Sequence, residues 1–219
     1  MRLPVTPATT LWRELRAEVR QHHRAGRLVL AVDSSDGAAA ATFADGFAEV
    51  FAETGAAVFR ASMDGFQRPQ AEREARGRAS AEGRYLDSYD YATFRRVLVD
   101  PFREGAQSGG STGFQLAAFD AERDAALPAH WVTAPRDAVL IVDGIFLHRP
   151  ELRGLWHWSA WLDSEADADH QGTGDAAVSR ARREAAQLYL RDAAPRRAAS
   201  AIIDDTDPSR PARVYADFC

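Results

Sequence analysis

The sequence predicts an α/β fold in which helices cover both faces of a mostly parallel sheet. Short apolar segments typical of buried strands alternate with amphipathic segments of helical period. That alternation favours parallel strands joined by helical crossovers, which gives a three-layer architecture. The chain has 219 residues, enough for one compact domain, and no repeat or linker divides it. We therefore predict a single domain over residues 1–219.

The elements follow from periodicity and from stop signals. Leu11, Trp12, Leu15 and Val19 fall on one helical stripe, and Gly26 ends that helix. Polar residues rich in arginine and glutamate, without a period, predict a solvated excursion over 67–84. The predicted helices cover 9–25, 42–54, 91–99 and 179–191, and the predicted strands cover 28–32, 57–61, 138–142, 158–162 and 201–203.

Composition restricts the class of partner. All 27 cationic side chains are arginines, and the net charge is −5, which argues against nucleic acid or an anionic membrane. The single cysteine, Cys219, excludes an internal disulfide framework and fits a reducing compartment. No apolar run predicts a membrane span or a secretion signal. We expect a cytoplasmic protein with a small-molecule partner, no nucleic acid and no membrane; its oligomeric state stays open.

The segment after the first predicted strand lies where a phosphate-binding loop would be expected. The pattern G-x-x-x-x-G-K-[ST] falls on residues 34–41, and each defining residue is replaced: Ser34 and Ala39 stand for the glycines, Ala40 for the lysine and Ala41 for the hydroxyl. Gly37 persists. Thr42 does not restore the hydroxyl, because one helical step turns a side chain by about 100°. The position predicts a phosphate loop whose chemistry has been removed.

Acidic residues follow four predicted strands: Asp33, Asp64, Asp143 and Asp163. Ligands of such sheets bind beyond the carboxyl ends of the strands. A single aspartate there is more often a cap for a helix or turn. Asp64 and Asp143 together, beside the altered loop, favour a catalytic role. The six histidines show no metal-binding spacing, so we predict no metal site.

Several motifs carry a family resemblance that runs from Leu28 to Pro208. They are RASMDGFQRP (60–69), GRYLDSYDY (83–91), AAFD (117–120), VLIVDGIF (139–146), QLYL (187–190) and DDTDP (204–208). In content and order they resemble the uridine kinase family, especially its actinobacterial members. The resemblance implies the P-loop nucleoside-kinase fold, ATP and magnesium as cofactors, and phosphoryl transfer to the 5′-hydroxyl of uridine or cytidine.

The resemblance also implies roles for individual residues. Asp64 would be the acceptor base, and Asp143 the acidic residue after the Walker-B-like strand. The implied substrate contacts are Asp87, with Tyr89 and Asp90 nearby, and a base-binding turn at Phe119 and Asp120, with Arg123 just beyond it. From their positions, Tyr85 and Tyr89 could line the acceptor pocket and could equally be packing residues. The family's lid falls on 164–178, which is shorter and acidic here; Arg180 and Arg183 beyond it are candidates to contact an anion.

Three functions remain open at this level. They are a repurposed enzyme with Asp64 as general base, a pseudokinase that binds a nucleoside or a partner protein, and an active uridine or cytidine kinase. Loss of one preorganised electrostatic donor costs roughly 2.7–4 kcal/mol of transition-state stabilisation. The chain lacks the lysine, the metal-binding hydroxyl, a loop glycine and much of the lid together. We therefore expect a non-kinase enzyme that uses no ATP or magnesium.

Overall fold

The computed structural model describes residues 2–105, 112–164 and 175–215. Its centre is a six-stranded sheet in the order β2-β5-β1-β6-β7-β8, in which only β8 is antiparallel to its neighbour. A separate two-stranded hairpin is formed by β3 and β4. The strands are β1 Leu28–Ser34, β2 Ala57–Ser62, β3 Phe119–Asp120, β4 Ala125–Ala126, β5 Ala138–Gly144, β6 Trp158–Asp163, β7 Ala201–Asp204 and β8 Ala212–Val214.

Helices cover both faces of the sheet. One face packs against α1 and α2 through a core that includes Leu15, Phe43 and Phe47. The other packs against the helical segments after β2 and against α7, through a core that includes Phe94 and Tyr189. The α-helices are α1 Pro7–His22, α2 Gly37–Ala52, α3 Gln70–Arg73, α4 Ala81–Asp87, α5 Tyr91–Phe94, α6 Asp100–Glu104, α7 Ala176–Ala193 and α8 Pro195–Ala198.

The strands at the centre of the sheet explain the fold class. Every residue of β1 and β5 is buried, as expected for parallel strands covered on both sides. The two hydrophobic clusters on opposite faces confirm the predicted layered α/β architecture with a mostly parallel sheet. Within the described ranges, no helix has the length and apolar character needed to span a membrane.

All four predicted helices have ends that differ from the prediction, and capping or continuation of the helix explains the first and the third. The first helix begins at Pro7, where Thr6 and Thr9 form a capping box, and ends three residues earlier than predicted, at His22. The helical segment after Tyr91 does not stop before Pro101. It passes through a π turn at Arg95–Val99 and continues as α6, whose first turn accommodates the proline.

The predicted excursion at 67–84 was wrong in part. It contains α3, and α4 starts within it and buries Gly83 and Tyr85. The strands β3, β4 and β8 were not predicted, because two or three residues are too short to show an alternating pattern.

Candidate functional site

The carboxyl ends of three neighbouring strands meet at one edge of the sheet. In the parallel register, Asp33 of β1 lies opposite Gly144 of β5, and Asp143 of β5 lies opposite Ser62 of β2. Asp64 follows β2 directly, on a 3₁₀ turn at Met63–Phe66. The topology thus gathers the strand-end carboxylates of β1, β2 and β5 at one edge.

The segment 34–41, where the sequence predicts an altered phosphate loop, is folded around its own side chains. Asp36 caps α2: its carboxylate accepts the amide of Ala38 at 2.9 Å, and its carbonyl accepts the amide of Ala40 at 3.1 Å. The amide of Asp36 donates to Ser34 Oγ at 3.1 Å. Helix α2 therefore begins at Gly37, five residues earlier than predicted. The amides of Asp36, Ala38 and Ala40 are thus bonded to oxygens of the chain, and a carboxylate lies at the helix N-terminus, where it disfavours a second anion.

The alanines of this segment add neither charge nor oxygen. Ala40, at the lysine position, is fully buried in the core beneath α2. Ala41, at the hydroxyl position, is half-buried. The hydroxyl of Thr42 donates to the carbonyl of Ala38 at 3.0 Å, so it serves its own helix.

Asp143 already has a cationic partner. Its side chain is 3% exposed, and Oδ1 lies 2.8 Å from Nη2 of Arg60. The same guanidinium donates to the carbonyl of Ile141 at 3.1 Å and to that of Ala41 at 3.3 Å, and pairs with Asp45 at 3.0 Å. Burial raises the pKa of Asp143, while Arg60 opposes that rise. The carboxylate is thus neutralised inside the protein.

These contacts bear on the cofactors that the resemblance implies. Magnesium prefers oxygen ligands, and a triphosphate needs backbone amides and cations. Ala41 supplies no oxygen, Asp143 is paired with Arg60, and Asp36 occupies the start of α2. No cluster of three or more histidine, cysteine or acidic side chains suited to a metal occurs in the described ranges. The residues at this edge do not fit a magnesium-bound triphosphate.

Asp64 has a different environment. It is exposed, and Oδ1 accepts hydrogen bonds from Gln67 Nε2 at 2.9 Å and from the hydroxyl of Tyr89 at 3.1 Å. Burial and the adjacent carboxylate raise the pKa of Tyr89 well above its ordinary value, so its hydroxyl remains a donor. Oδ2 makes no hydrogen bond within the part of the chain described. One oxygen is held in place while the other is available.

Neighbouring segments fix the turn that carries Asp64. The amide of Asp90 donates to the carbonyl of Phe66 at 2.8 Å, and Gln67 forms a β-bridge with Tyr89. The amide of Ala118 donates to the carbonyl of Gly65 at 2.8 Å. A Cβ at Gly65 would lie 2.8 Å from Cβ of Ala117, so this approach requires glycine. The structure therefore brings Tyr89 and the segment leading to β3 against the Asp64 turn.

Other predicted substrate contacts are engaged locally. Asp87 forms an ion pair with Arg76, with 2.7 Å between Oδ2 and Nε. Asp120 Oδ1 accepts the amides of Glu122 and Arg123 at 3.0 and 3.1 Å, and the Arg123 side chain is 83% exposed. Phe119 is buried beside them in β3.

Tyr85 belongs to the same buried core as Tyr89, but of the two tyrosines only Tyr89 donates to Asp64 among the described residues. Its ring packs edge-on against Phe146 at 5.3 Å, and the Arg149 guanidinium lies 4.5 Å from its centre. Arg180 and Arg183 are exposed on α7, without a hydrogen bond or ion pair among the described residues. Most of the altered lid segment, including His170, lies outside the described residues.

Sequence reasoning missed a buried polar network behind the site. Asp33 is fully buried, and its Oδ2 lies 2.6 Å from Nδ1 of His148 and accepts the hydroxyl of Tyr189. His148 Nε2 lies 3.0 Å from Ser159 Oγ, and its amide donates to the Tyr189 hydroxyl at 2.8 Å. The network joins the end of β1 to β6, α7 and the loop after β5. The only sequence signal was an aspartate at the end of an apolar strand.

The sheet order, the two helical layers and the carboxyl-edge site define the class: an α/β protein with the fold of P-loop kinases. No protein-family model matches the sequence, and no curated protein matches it either. The comparison with known proteins therefore rests on solved structures.

Three solved kinase structures illustrate the likeness. A possible uridine kinase from Bacillus stearothermophilus superimposes with a TM-score of 0.65 at 20% identity, over 86% of this chain and 98% of that chain. A protein from Silicibacter sp. TM1040 that is described as a fructose transport system kinase superimposes with a TM-score of 0.55 at 22% identity, over 90% of this chain and 96% of that chain. D-glycerate 3-kinase from Cryptococcus neoformans gives 0.56 at 7% identity, over 88% and 90%. At these identities the likeness shows the fold alone.

Proposed function

We propose that this protein is an enzyme of kinase-like fold that does not transfer phosphoryl groups from ATP. It acts on a nucleoside-like or other small molecule at the former acceptor side, with Asp64 as general base. The observation that carries the proposal is the contrast between the turn at Asp64 and the side where a triphosphate would bind. Oδ2 of Asp64 makes no hydrogen bond among the described residues and stands on a fixed turn. On the side where a triphosphate would bind, Asp36 caps α2 and Arg60 pairs with Asp143.

The geometry supports proton abstraction. Tyr89 and Gln67 hold Oδ1, which leaves Oδ2 to accept a proton from a C–H or O–H group of the substrate. The electron pair left behind forms a new bond within the substrate, as in an elimination, an isomerisation or a ring closure. In an elimination, or in a ring closure by displacement, a leaving group departs with its own bonding pair. In an isomerisation the proton returns to another atom of the substrate. The reaction needs no phosphoryl donor.

Electrostatics disfavours ATP-dependent transfer. Phosphoryl transfer depends on positioning and on neutralising the charge of the phosphates. The chain contains no lysine, and Arg60, which lies at this edge, is paired with Asp143 and Asp45. An added triphosphate would also meet the carboxylate of Asp36 at the start of α2.

A pseudokinase that binds a nucleoside or a partner protein without catalysis is the second candidate. Exposure of Asp64 favours it, because a general base gains from a site that excludes water. The two functions differ in what Asp64→Asn does. A pseudokinase should keep its affinity for the ligand in that variant, whereas an enzyme should lose turnover.

The first experiment measures thermal stabilisation by uridine, cytidine and Mg-ATP, since a ligand of the native state raises the melting temperature. We expect a shift with a nucleoside and none with Mg-ATP. Transfer of radiolabel from ATP to uridine at ordinary kinase rates would refute the proposal.

A second experiment identifies turnover. Wild type and Asp64→Asn are incubated with a small-molecule extract, and mass spectrometry follows which compounds are consumed. Asp100→Asn, at an exposed carboxylate on α6, is the matched control. We expect consumption by wild type and the control only, lowered at least 100-fold in Asp64→Asn. Equal consumption by all three proteins would remove Asp64 from the mechanism.

A further inference from the structure

Two histidines meet at the edge of the sheet where the parallel strands begin. His157 directly precedes β6, and His23 is the C-cap of α1. Their rings are nearly perpendicular, with 5.3 Å between the ring centres. His23 Nε2 donates to the carbonyl of His157 at 3.1 Å, because a carbonyl oxygen can only accept. This contact joins the end of α1 to the turn before β6.

The imidazole of His157 also completes the hydrogen bonding of β1. The carbonyl of Val29 accepts the amide of His157 at 2.8 Å, and the amide of Val29 donates to Nδ1 of the imidazole at 3.0 Å. On its other side β1 pairs with β5. A ring nitrogen of His157 is therefore the acceptor for the amide of Val29 at the start of β1.

The hydrogen bond from Val29 fixes the protonation state of His157. An imidazole nitrogen accepts a hydrogen bond only when it carries no proton, so the ring is neutral and has its proton on Nε2. A second proton would have to bind Nδ1, where it would face the amide hydrogen of Val29. His157 therefore takes up a second proton only after this hydrogen bond has opened.

The charged groups around His157 do not compensate a positive ring. Arg103 of α6 donates to two carbonyls of the turn before β6, and His23 faces the ring from α1. Burial lowers the pKa of His157, and repulsion by Arg103 and His23 lowers it further. Glu18 of α1 accepts the indole N–H of Trp158 at 2.9 Å and pairs with an arginine of β8. No acidic side chain forms an ion pair with His157 among the described residues.

We propose that His157, with His23 and Val29, forms an acid-sensitive latch. At neutral pH the uncharged ring ties the start of β1 to the turn before β6 and to the end of α1. In mild acid the opened ring is protonated and cannot close again, so this edge of the sheet loosens. The latch is independent of the proposed function, since Asp64 lies at the opposite edge, where the parallel strands end.

Hydrogen exchange of the Val29 amide tests the latch. Nuclear magnetic resonance measures the exchange rate, which is divided by the rate of an unprotected amide at the same pH. The opened ring titrates like a free histidine, at about pH 6.5, whereas the closed ring takes up no proton. Between pH 7.5 and pH 5.5 the corrected exchange rate of wild type should therefore rise about tenfold. An unchanged corrected rate would overturn the proposal.

His157→Asn separates titration of the ring from loss of the hydrogen bond. The side-chain oxygen of asparagine can accept the Val29 amide and does not titrate. The corrected rate in this variant should change by less than about twofold over the same interval. His130→Asn is the matched control, because His130 is exposed, and it should show the same rise as wild type. The wild-type rise persisting in His157→Asn would contradict the latch.

The ring of His157 in wild type provides a second test that needs no variant. At pH 7.5 its nitrogen chemical shifts should show a proton on Nε2 and none on Nδ1. As pH falls, the ring should titrate with a midpoint below the ordinary value for histidine. A proton on Nδ1 at pH 7.5, or an ordinary midpoint, would refute the latch even if His157→Asn failed to fold.

Discussion

Tyr189→Phe tests the buried network that fixes the end of β1. The hydroxyl of Tyr189 donates to the carboxylate of Asp33 and accepts the amide of His148 at 2.8 Å. Asp33 is fully buried, Tyr189 is 1% exposed and His148 is 7% exposed. Replacement by phenylalanine keeps the ring and its packing, so the variant isolates the loss of one oxygen and its proton.

Two losses contribute to the magnitude. A hydrogen bond to a charged group contributes about 1.5–3 kcal/mol, and a buried amide left without its acceptor costs about 1–3 kcal/mol. His148 remains as a donor to Asp33, at 2.6 Å, and limits the damage. We expect the free energy of unfolding to fall by about 3 kcal/mol.

Urea unfolding at neutral pH measures this change. An unchanged m-value, the slope of the unfolding free energy against urea concentration, would show that the native state is still compact. Tyr215→Phe is the control, because Tyr215 is 76% exposed and should change stability by less than about 0.5 kcal/mol. A loss below about 1 kcal/mol in Tyr189→Phe would show that Asp33 does not depend on this hydroxyl.

Three further predictions concern other parts of the fold. Burial raises the pKa of Asp205 from 3.8 to about 6, so stability falls as pH rises through this interval, and Asp205→Asn should remove that loss. At pH 7.5 we expect Asp205→Asn to raise the free energy of unfolding by about 1–2 kcal/mol over wild type, and at pH 4 we expect little difference. Identical dependence of stability on pH in the two proteins would contradict this prediction. In Gly46→Ala the new Cβ would lie 2.1 Å from the ring of Trp12. The free energy of unfolding, measured with urea, should therefore fall by about 1–3 kcal/mol. An unchanged value would exclude this packing of α1 on α2. Gly65→Ala should push Ala117 away from the Asp64 turn and weaken the binding of a nucleoside, which calorimetry measures; unchanged affinity would mean that the turn does not shape the site.

The parts of the fold that were predictable have strong local signals. Continuous apolar runs identified β1 and β5, and the apolar stripe from Leu11 to Val19 identified α1. The predicted start of α2 was too late, because the phosphate-loop pattern assigned residues 34–41 to a loop. The capping carboxylate of Asp36 explains the earlier start.

The candidate site was predictable only to the level of topology. Parallel strands place Asp33 and Asp143 at one edge, whatever their side chains contact. Their partners are distant in sequence: His148 lies 115 residues from Asp33, and Tyr189 lies 156 residues from it. Periodicity and spacing report local structure, so they cannot reveal these pairings.

The buried network around Asp33 has a consequence for how the domain opens. Its members come from β1, the loop after β5, β6 and α7, so it is complete only when these four segments are packed together. We therefore expect the amides of these segments to exchange with solvent through one shared opening of the domain rather than segment by segment.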